Sequence, residues 1–245
     1  MIKLDIITNV LTENETPAFA KHVLPAGVLR VLLACEESQT VTKAFRDLGH
    51  EAFSCDIQEC SGGFPQWHIQ GDVTELLKQK WDMVIAFPPC TYITNGGAVR
   101  MYPQKGIIDE LRFTKAMKAK EFFMMFYNLD CKYVAIENPL PMSVIGLPKY
   151  SQIIQPYMFG DEYSKKTCLW LKGLPMLYHN AEVNLFDDKI THVKDYQPYI
   201  NGGGGRLEKA NYKGKSFANG SKKRSKFFQG VADAMALQWS SYACG

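Results

Sequence analysis

Buried strands alternate with amphipathic helices along the first 140 residues. Apolar residues occupy nearly consecutive positions in 28–34, 83–87 and 133–136. Runs of this kind are typical of strands that are covered on both faces, as in parallel sheets. Apolar residues at helical spacing predict helices at 40–48 and 106–129 between the strands. The alternation predicts an α/β fold with a doubly wound, mostly parallel sheet.

An acidic residue lies at the tip of the second predicted strand, 50–57. Strand, helix and strand form a βαβ unit here, and Asp56 occupies the position that binds ribose hydroxyls in nucleoside-binding sheets. An exposed turn aspartate is the alternative interpretation. Asp72 precedes a short helix predicted at 75–80, where it caps the helix or accepts a hydrogen bond from a cofactor base.

The pattern loosens towards the C-terminus. It predicts a short helix at 150–156, a strand at 166–171 and a last helix at 226–239. The domain assignment is a main domain at 28–174 and 224–245, an N-terminal appendage at 1–27 and a small region at 175–223.

Reactive side chains follow two of the buried strands, and prolines mark both strand ends. Pro88 and Pro89 stop the central strand, because proline has a fixed φ and no N–H for the ladder, and Cys90 comes next. Glu137 and Asn138 follow the next aliphatic strand. Open α/β folds bind ligands at the carboxyl edge, so Cys90 and Glu137 are predicted to face one hollow. A cysteine by itself is more often a small buried hydrophobe.

Basic residues concentrate near the C-terminus, although the net charge is only +3. Between 201 and 229 they face a single acid, Glu208, and they are Arg206, Lys209, Lys213, Lys215, Lys222, Lys223, Arg224 and Lys226. Such a local field suits a polyanion such as nucleic acid, and a solvated loop is the alternative.

The seven cysteines are odd in number, follow no disulfide pattern, and no secretory signal precedes them. We therefore expect free thiols in a reducing, cytoplasmic compartment. No apolar run approaches the ~20 residues that span a bilayer, so no membrane partner is expected. Cys55, Cys60 and His68 lack a fourth ligand at suitable spacing, and no metal site is predicted.

Phe-Pro-Pro-Cys-Thr at 87–91, followed by Glu-Asn-Pro at 137–139, resembles the paired signature of DNA cytosine-5 methyltransferases. The resemblance covers roughly 28–139, and the short chain is similar to compact variants carried by phages, which would act in the bacterial host cytoplasm. It implies a Rossmann-like class I methyltransferase fold, S-adenosylmethionine as cofactor and DNA as partner. It also implies that 175–223 recognises the target and that no obligate protein partner is needed.

The resemblance implies covalent catalysis on a base that is flipped out of the duplex. The Cys90 thiolate would add to cytosine C6, Glu137 would donate a proton or hydrogen bond at N3, and Asn138 would brace the loop that carries Cys90. The site should lower the pKa of the Cys90 thiol, or deprotonate it as substrate arrives. The pKa of Glu137 should be raised, so that it can act as an acid.

Binding residues are also carried over from the resemblance. The expected cofactor contacts are Cys35, Glu36, Glu37, Ser38, Asp56, Ile57, Asp72, Val73, Phe87 and Pro88. The expected substrate contacts are Pro89, Thr91, Lys165, Lys166, Arg206, Lys222 and Arg224. The family's Gln-x-Arg-x-Arg motif is absent from this sequence, and Lys165 and Lys166 are the nearest candidates for its basic residues.

The family's glycine-rich first loop has no glycine here, at 34–40. A carboxylate of this loop could bind the methionine ammonium, Ser38 or Thr40 could cap the next helix, and a modified adenosyl cofactor is an alternative to S-adenosylmethionine. Other open readings are the same chemistry on RNA or a free nucleotide, and a relative that binds DNA without transfer. Amino-directed DNA methyltransferases are less favoured. In that class an aromatic residue follows Pro-Pro directly, whereas Cys90 occupies this position here and Tyr92 comes two residues later.

Overall fold

The computed structural model describes residues 25–161, 163–179, 197–198 and 227–245. The strands are β1 (Arg30–Ala34), β2 (Glu51–Asp56), β3 (His68–Gln70), β4 (Met83–Ala86), β5 (Tyr133–Pro139), β6 (Gln152–Ile154), β7 (Tyr163–Ser164), β8 (Thr167–Lys172) and β9 (Gln197–Pro198). The helices are α1 (Thr40–Asp47), α2 (Ala98–Met101), α3 (Glu110–Tyr127) and α4 (Gln229–Cys244). Most of the expected appendage and of the region 175–223 lies outside the described residues.

The main sheet has seven strands in the order β3-β2-β1-β4-β5-β8-β6. Neighbouring strands are parallel except at β8, which runs antiparallel to both β5 and β6. The predicted mostly parallel α/β sheet is confirmed. The strand order reverses between β1 and β4, and ligands of open α/β sheets bind beyond the carboxyl ends at such a point.

Helices cover both faces of the sheet, so the doubly wound arrangement is also confirmed. On one face α3 buries Phe123 and Phe126 against the strands. On the other face α1 and α4 bury Phe45 and Trp239 in a second core cluster. These two layers hold the strands rigidly and present their carboxyl ends as one edge.

Three local predictions differ from the structure. The helix predicted at 150–156 is wrong, because Gln152–Ile154 forms the edge strand β6 on β8, with Ile154 opposite Thr167. Glycine, proline and aromatic residues in 60–70 predict a loop, but this stretch contains β3, which pairs in parallel with β2. The short helix after Asp72 is a 3₁₀ helix, Val73–Lys78. Strands of three residues owe their existence to a paired neighbour, which local periodicity cannot show.

Gly230, in the first turn of α4, is predicted to be a position where alanine destabilises the fold. Its N–H donates to Asp161 Oδ2 at 3.1 Å, and an added Cβ would lie 2.0 Å from the backbone oxygen of Phe159. Helix propensity favours alanine by about 1 kcal/mol, but the overlap with backbone should cost about 1–3 kcal/mol.

Urea unfolding of Gly230→Ala should therefore show a net loss of stability. Gly96→Ala is the matched control, because its Cβ would meet nothing nearer than 3.9 Å. Equal stabilities of the two variants would contradict the close packing of α4.

Candidate functional site

Cys90 lies on a tight turn directly after the central strand. β4 ends at Ala86, Pro88 is buried, and the Cys90 side chain is half-buried. The N–H groups of Ile93 and Thr94 both donate to the Cys90 carbonyl at 3.2 Å. The turn keeps the thiol at the carboxyl edge of the sheet, where the sequence predicted it.

Glu137 and Asn138 lie within β5 rather than after it. The ladder between β4 and β5 finishes at the pair Ala86 and Ile136, but β5 continues to Pro139 because antiparallel β8 pairs with it, Glu137 opposite Leu169. The prediction that this strand ends at 136 is therefore wrong. As a consequence, pairing with β8 on one side fixes the backbone position of Glu137.

Three hydrogen bonds tie the Cys90 turn to the end of β5. Asn138 Nδ2 donates to the Pro88 carbonyl at 2.8 Å. Beyond the strand, the N–H of Asn95 donates to Leu140 at 3.0 Å, and that of Met142 donates to Ile93 at 2.8 Å. The thiol and the carboxyl are thus held in a fixed relation by backbone and by one amide side chain.

Charge interactions bring Lys165 into the same group. Burial raises the pKa of Glu137, while the Lys165 ammonium and a hydrogen bond from Thr167 oppose the rise. Burial also raises the pKa of the Cys90 thiol, the Glu137 carboxylate adds to the rise, and Lys165 opposes it. The free protein therefore holds Cys90 mainly as a thiol. The expectation that the site lowers the pKa of this thiol before substrate binds is wrong. Deprotonation as substrate arrives stays a prediction.

A small pocket opens beside Glu137. It is lined by Glu137, Ile154, Pro156, Lys165, Thr167, Phe227, Phe228 and Val231. Cys90 is not among these lining residues. Glu137 Oε1 and Asn138 Oδ1 are buried and lack hydrogen-bond partners among the described residues. A buried acceptor without a donor costs about 1–3 kcal/mol, so both atoms are available to accept a hydrogen bond from water or from a ligand.

A second group of acidic side chains lies at the ends of the first strands. Burial raises the pKa of Cys35 to about 12, and Asp56 and Asp72 contribute to the rise, so these residues lie near one another. Asp56 Oδ1 accepts from Gln58 N at 2.9 Å, and Asp72 Oδ1 accepts from Thr74 N at 2.9 Å. Asp72 therefore caps the 3₁₀ helix, which is the first of the two roles predicted for it. The Oδ2 atoms of Asp56 and Asp72 accept no hydrogen bond from the described residues.

Glu36 takes a structural position instead of projecting into the cleft. It is buried, and its carboxylate accepts from Val41 N at 2.6 Å, from Thr42 N at 3.2 Å and from Thr42 Oγ1 at 2.6 Å. It therefore caps α1, and the expectation that Ser38 or Thr40 would do so is wrong. With both oxygens bonded, Glu36 has little capacity left for a methionine ammonium.

The remaining predicted contacts fall into three sets. The cofactor candidates with part of their surface exposed are Glu37, Ser38, Ile57 and Phe87, whereas Val73 and Pro88 are buried. The substrate candidates Pro89, Thr91 and Lys166 are exposed. Arg206, Lys222 and Arg224 lie outside the described residues.

Sequence reasoning missed several of the residues that line the pocket. Thr167 comes from β8 and Phe228 from the start of α4, far along the chain from Glu137. Phe227 packs edge-on against Phe87 with ring centroids 4.9 Å apart. The Phe-Phe pair before the last helix was the one visible signal for these contacts.

Asn138→Ala is predicted to lower both stability and activity. It removes the donor to Pro88, which leaves a buried carbonyl unpaired at a cost of about 1–3 kcal/mol, and it releases the Cys90 turn. The temperature of thermal unfolding and the rate of the methyl transfer that the resemblance implies should both fall. Asn128→Ala, at an exposed helix end, should change neither. Unchanged turnover in Asn138→Ala would contradict the bracing role.

Within the described ranges no helix is long and apolar enough to cross a membrane. The same part of the chain contains no cluster of three or more histidine, cysteine or acidic side chains suited to a metal ion.

No protein-family model and no curated protein matches the chain. Among solved structures, one described as a candidate DNA modification methyltransferase encoded within a prophage (E. coli) aligns at 15% identity and TM-score 0.38, over 58% of this chain and 46% of that one. S. pombe Dnmt2 methyltransferase aligns at 14% identity and TM-score 0.39, over 70% and 59%. WbdD, solved with a kinase inhibitor, aligns at 11% identity and TM-score 0.34, over 61% and 37%.

The chain thus spans about half the length of the first two structures, 46% and 59%. At these scores the similarities carry no weight on function. The chemistry has to be argued from the side chains themselves.

Proposed function

We propose that the chain is a DNA cytosine-5 methyltransferase that uses S-adenosylmethionine. The observation that carries the proposal is the group of Cys90, Glu137 and Lys165, whose charges interact at the carboxyl edge. Asn138 holds this group together through Pro88, and Glu137 Oε1 is left without a donor. A thiol can add to a pyrimidine as a nucleophile, and a carboxyl of raised pKa can supply the proton that such an addition needs.

In the proposed reaction Cys90 releases its proton to solvent, and the Sγ thiolate forms a bond to cytosine C6. Glu137, whose pKa is raised by burial, donates a proton at N3 and so neutralises the negative charge that this addition places on the ring. The unpaired Oε1 fits the N–H groups of the base edge. S-adenosylmethionine would supply the electrophilic methyl group for C5 and leave as S-adenosylhomocysteine. Solvent would then take the C5 proton, N3 would return its proton to Glu137, and the electrons of the C5–H bond would expel Cys90 Sγ from C6.

The acidic group around Cys35 fits the cofactor's hydroxyl and amine groups. Asp56, at the tip of β2, would accept from the ribose hydroxyls, and Asp72 would accept from the adenine amine. Each keeps an oxygen available for this. Ile57 is 76% exposed beside Asp56 and offers an apolar surface on which a base can lie.

The position of Tyr92 favours C5 chemistry over methylation of an exocyclic amine. The ring lies under two cations, with Arg112 Cζ 5.1 Å and Lys115 Nζ 5.8 Å from its centroid. It is also half-buried against the core. A ring held this way is poorly placed to stack on a flipped base, which is the function of the aromatic residue in amino-directed enzymes.

Trapping with 5-fluorocytosine tests the proposal directly. Fluorine at C5 cannot leave as a proton does, so a duplex that carries it should remain covalently bound to Cys90 when S-adenosylmethionine is present. Matched arms contain unmodified duplex, single-stranded RNA with 5-fluorocytosine, and the free nucleotide. An adduct confined to RNA or nucleotide would assign the chemistry to that substrate, and DNA binding without any adduct would indicate a binding module.

A further inference from the structure

The loop after Cys90 is anchored from outside by a side chain of α3. Arg112 Nη2 donates to the carbonyl of Thr91 at 2.9 Å. Thr91 is the residue that follows Cys90, so the guanidinium is one peptide from the proposed nucleophile. The backbone of Arg112 is itself fixed, because its N–H donates to the capping carboxylate of Asp109 at 2.7 Å.

Two more contacts fit the guanidinium closely into this loop. Its Cζ lies 5.1 Å from the centre of the Tyr92 ring. On another side it lies against Gly97, where an added Cβ would be 2.7 Å from Nη2 and 3.3 Å from the Thr91 carbonyl. The side chain thus touches residues at both ends of the segment 91–97.

The charge of Arg112 is not what links it to the thiol. The groups that shift the pKa of Cys90 are Glu137 and Lys165, together with burial and a backbone hydrogen bond. Arg112 therefore acts through geometry, by fixing a carbonyl and a ring next to Cys90.

From these contacts we propose that Arg112 is a positioning residue, which holds the loop 91–97 so that Cys90 Sγ meets the target base at the angle needed for attack. The inference rests on the proposed function. A misplacement of about 1 Å can lower a rate about 100-fold, so loss of this one hydrogen bond should have a large effect on the rate of reaction. Asn138 fixes the loop at Pro88, and Arg112 fixes it on the far side of Cys90.

Steady-state methyl transfer to DNA and amide hydrogen exchange of 91–97 test the inference in matched variants. Arg112→Met keeps the length of the stem and removes the bond and the ring contact, and it should lower kcat about 100-fold with little change in KM for DNA. Arg112→Lys should recover part of kcat. Gly97→Ala, which displaces the guanidinium without touching its charge, should reproduce the loss.

Lys115→Met is the control, since Lys115 lies over the same ring, 5.8 Å away, and is exposed on the same helix. It should retain kcat and normal exchange, whereas Arg112→Met should show faster exchange in 91–97. An equal loss in both variants, or a raised KM at unchanged kcat, would overturn the positioning role in favour of DNA contact.

The two proposals can fail separately. If the parent protein transfers no methyl group to any DNA, the proposed function fails. The exchange experiment still decides whether Arg112 holds the loop, because it needs no substrate. Normal exchange in Arg112→Met would overturn the inference even in a fully active enzyme.

Discussion

Cys90→Ser should abolish methyl transfer and the trapped adduct while leaving the fold intact. The hydroxyl is close in size to the thiol, and the side chain is only half-buried, so little stability is lost. Serine is a far weaker nucleophile in a site without an adjacent base. The fall in rate should be about 10³-fold or more, by comparison with the loss of covalent nucleophiles in other enzymes.

The measurement is transfer of a labelled methyl group, together with a gel assay for the 5-fluorocytosine adduct. Cys60→Ser is the matched control, because Cys60 is also a half-buried free thiol but lies before β3, away from the proposed nucleophile. An adduct that persists in Cys90→Ser, or disappears in Cys60→Ser, would show that a different cysteine is the nucleophile.

The aliphatic strands and the position of Cys90 directly after β4 could be read from the sequence because both depend on local rules. Consecutive apolar residues indicate a strand buried on both faces, and proline limits it. β3 and β6 follow no such rule. Ile154 becomes a strand residue because Thr167 lies opposite it, and that pairing depends on the whole sheet.

Arg112 and Phe228 could not be predicted as site residues for a related reason. Whether a side chain of α3 reaches Thr91 depends on how the helix docks, and Phe228 reaches the pocket only because the start of α4 lies near Pro156 and Thr167. Sequence patterns give the face of a helix but not its register against a loop. Local sequence patterns therefore do not identify site residues that distant elements contribute.

The first loop adopts, without glycine, a backbone conformation that glycine usually provides. Cys35 and Gln39 adopt positive φ, 62° and 56°, a region that glycine occupies without strain. Gln39 compensates with its side chain, since Nε2 donates to Phe64 O at 2.8 Å and Oε1 accepts from Phe64 N at 3.1 Å. The loop thus contains left-handed residues without glycine, which composition alone could not indicate.

Glu137→Gln should lower turnover about 10²- to 10⁴-fold, because the amide cannot deliver a proton at N3. It should also make Cys90 a stronger acid. The Glu137 carboxylate raises the pKa of the thiol, so its removal lowers that pKa, and iodoacetamide should modify Cys90 at lower pH in the variant. Lys165→Met is the opposite control: it removes the ammonium that lowers the pKa of Cys90, so alkylation should need higher pH.

The pH dependence of stability gives an independent check on Glu137. Because burial raises its pKa, the folded protein binds this proton more tightly than the unfolded chain. Its contribution to stability is present below the unfolded pKa and is lost as pH rises through the folded pKa. Glutamine has no such loss, so the free energy of unfolding of Glu137→Gln should gain on that of the parent as pH rises. A constant difference between pH 4 and pH 9, in urea unfolding at matched ionic strength, would mean that Glu137 ionises as freely as it does in water, and the proposed acid would have no proton to give.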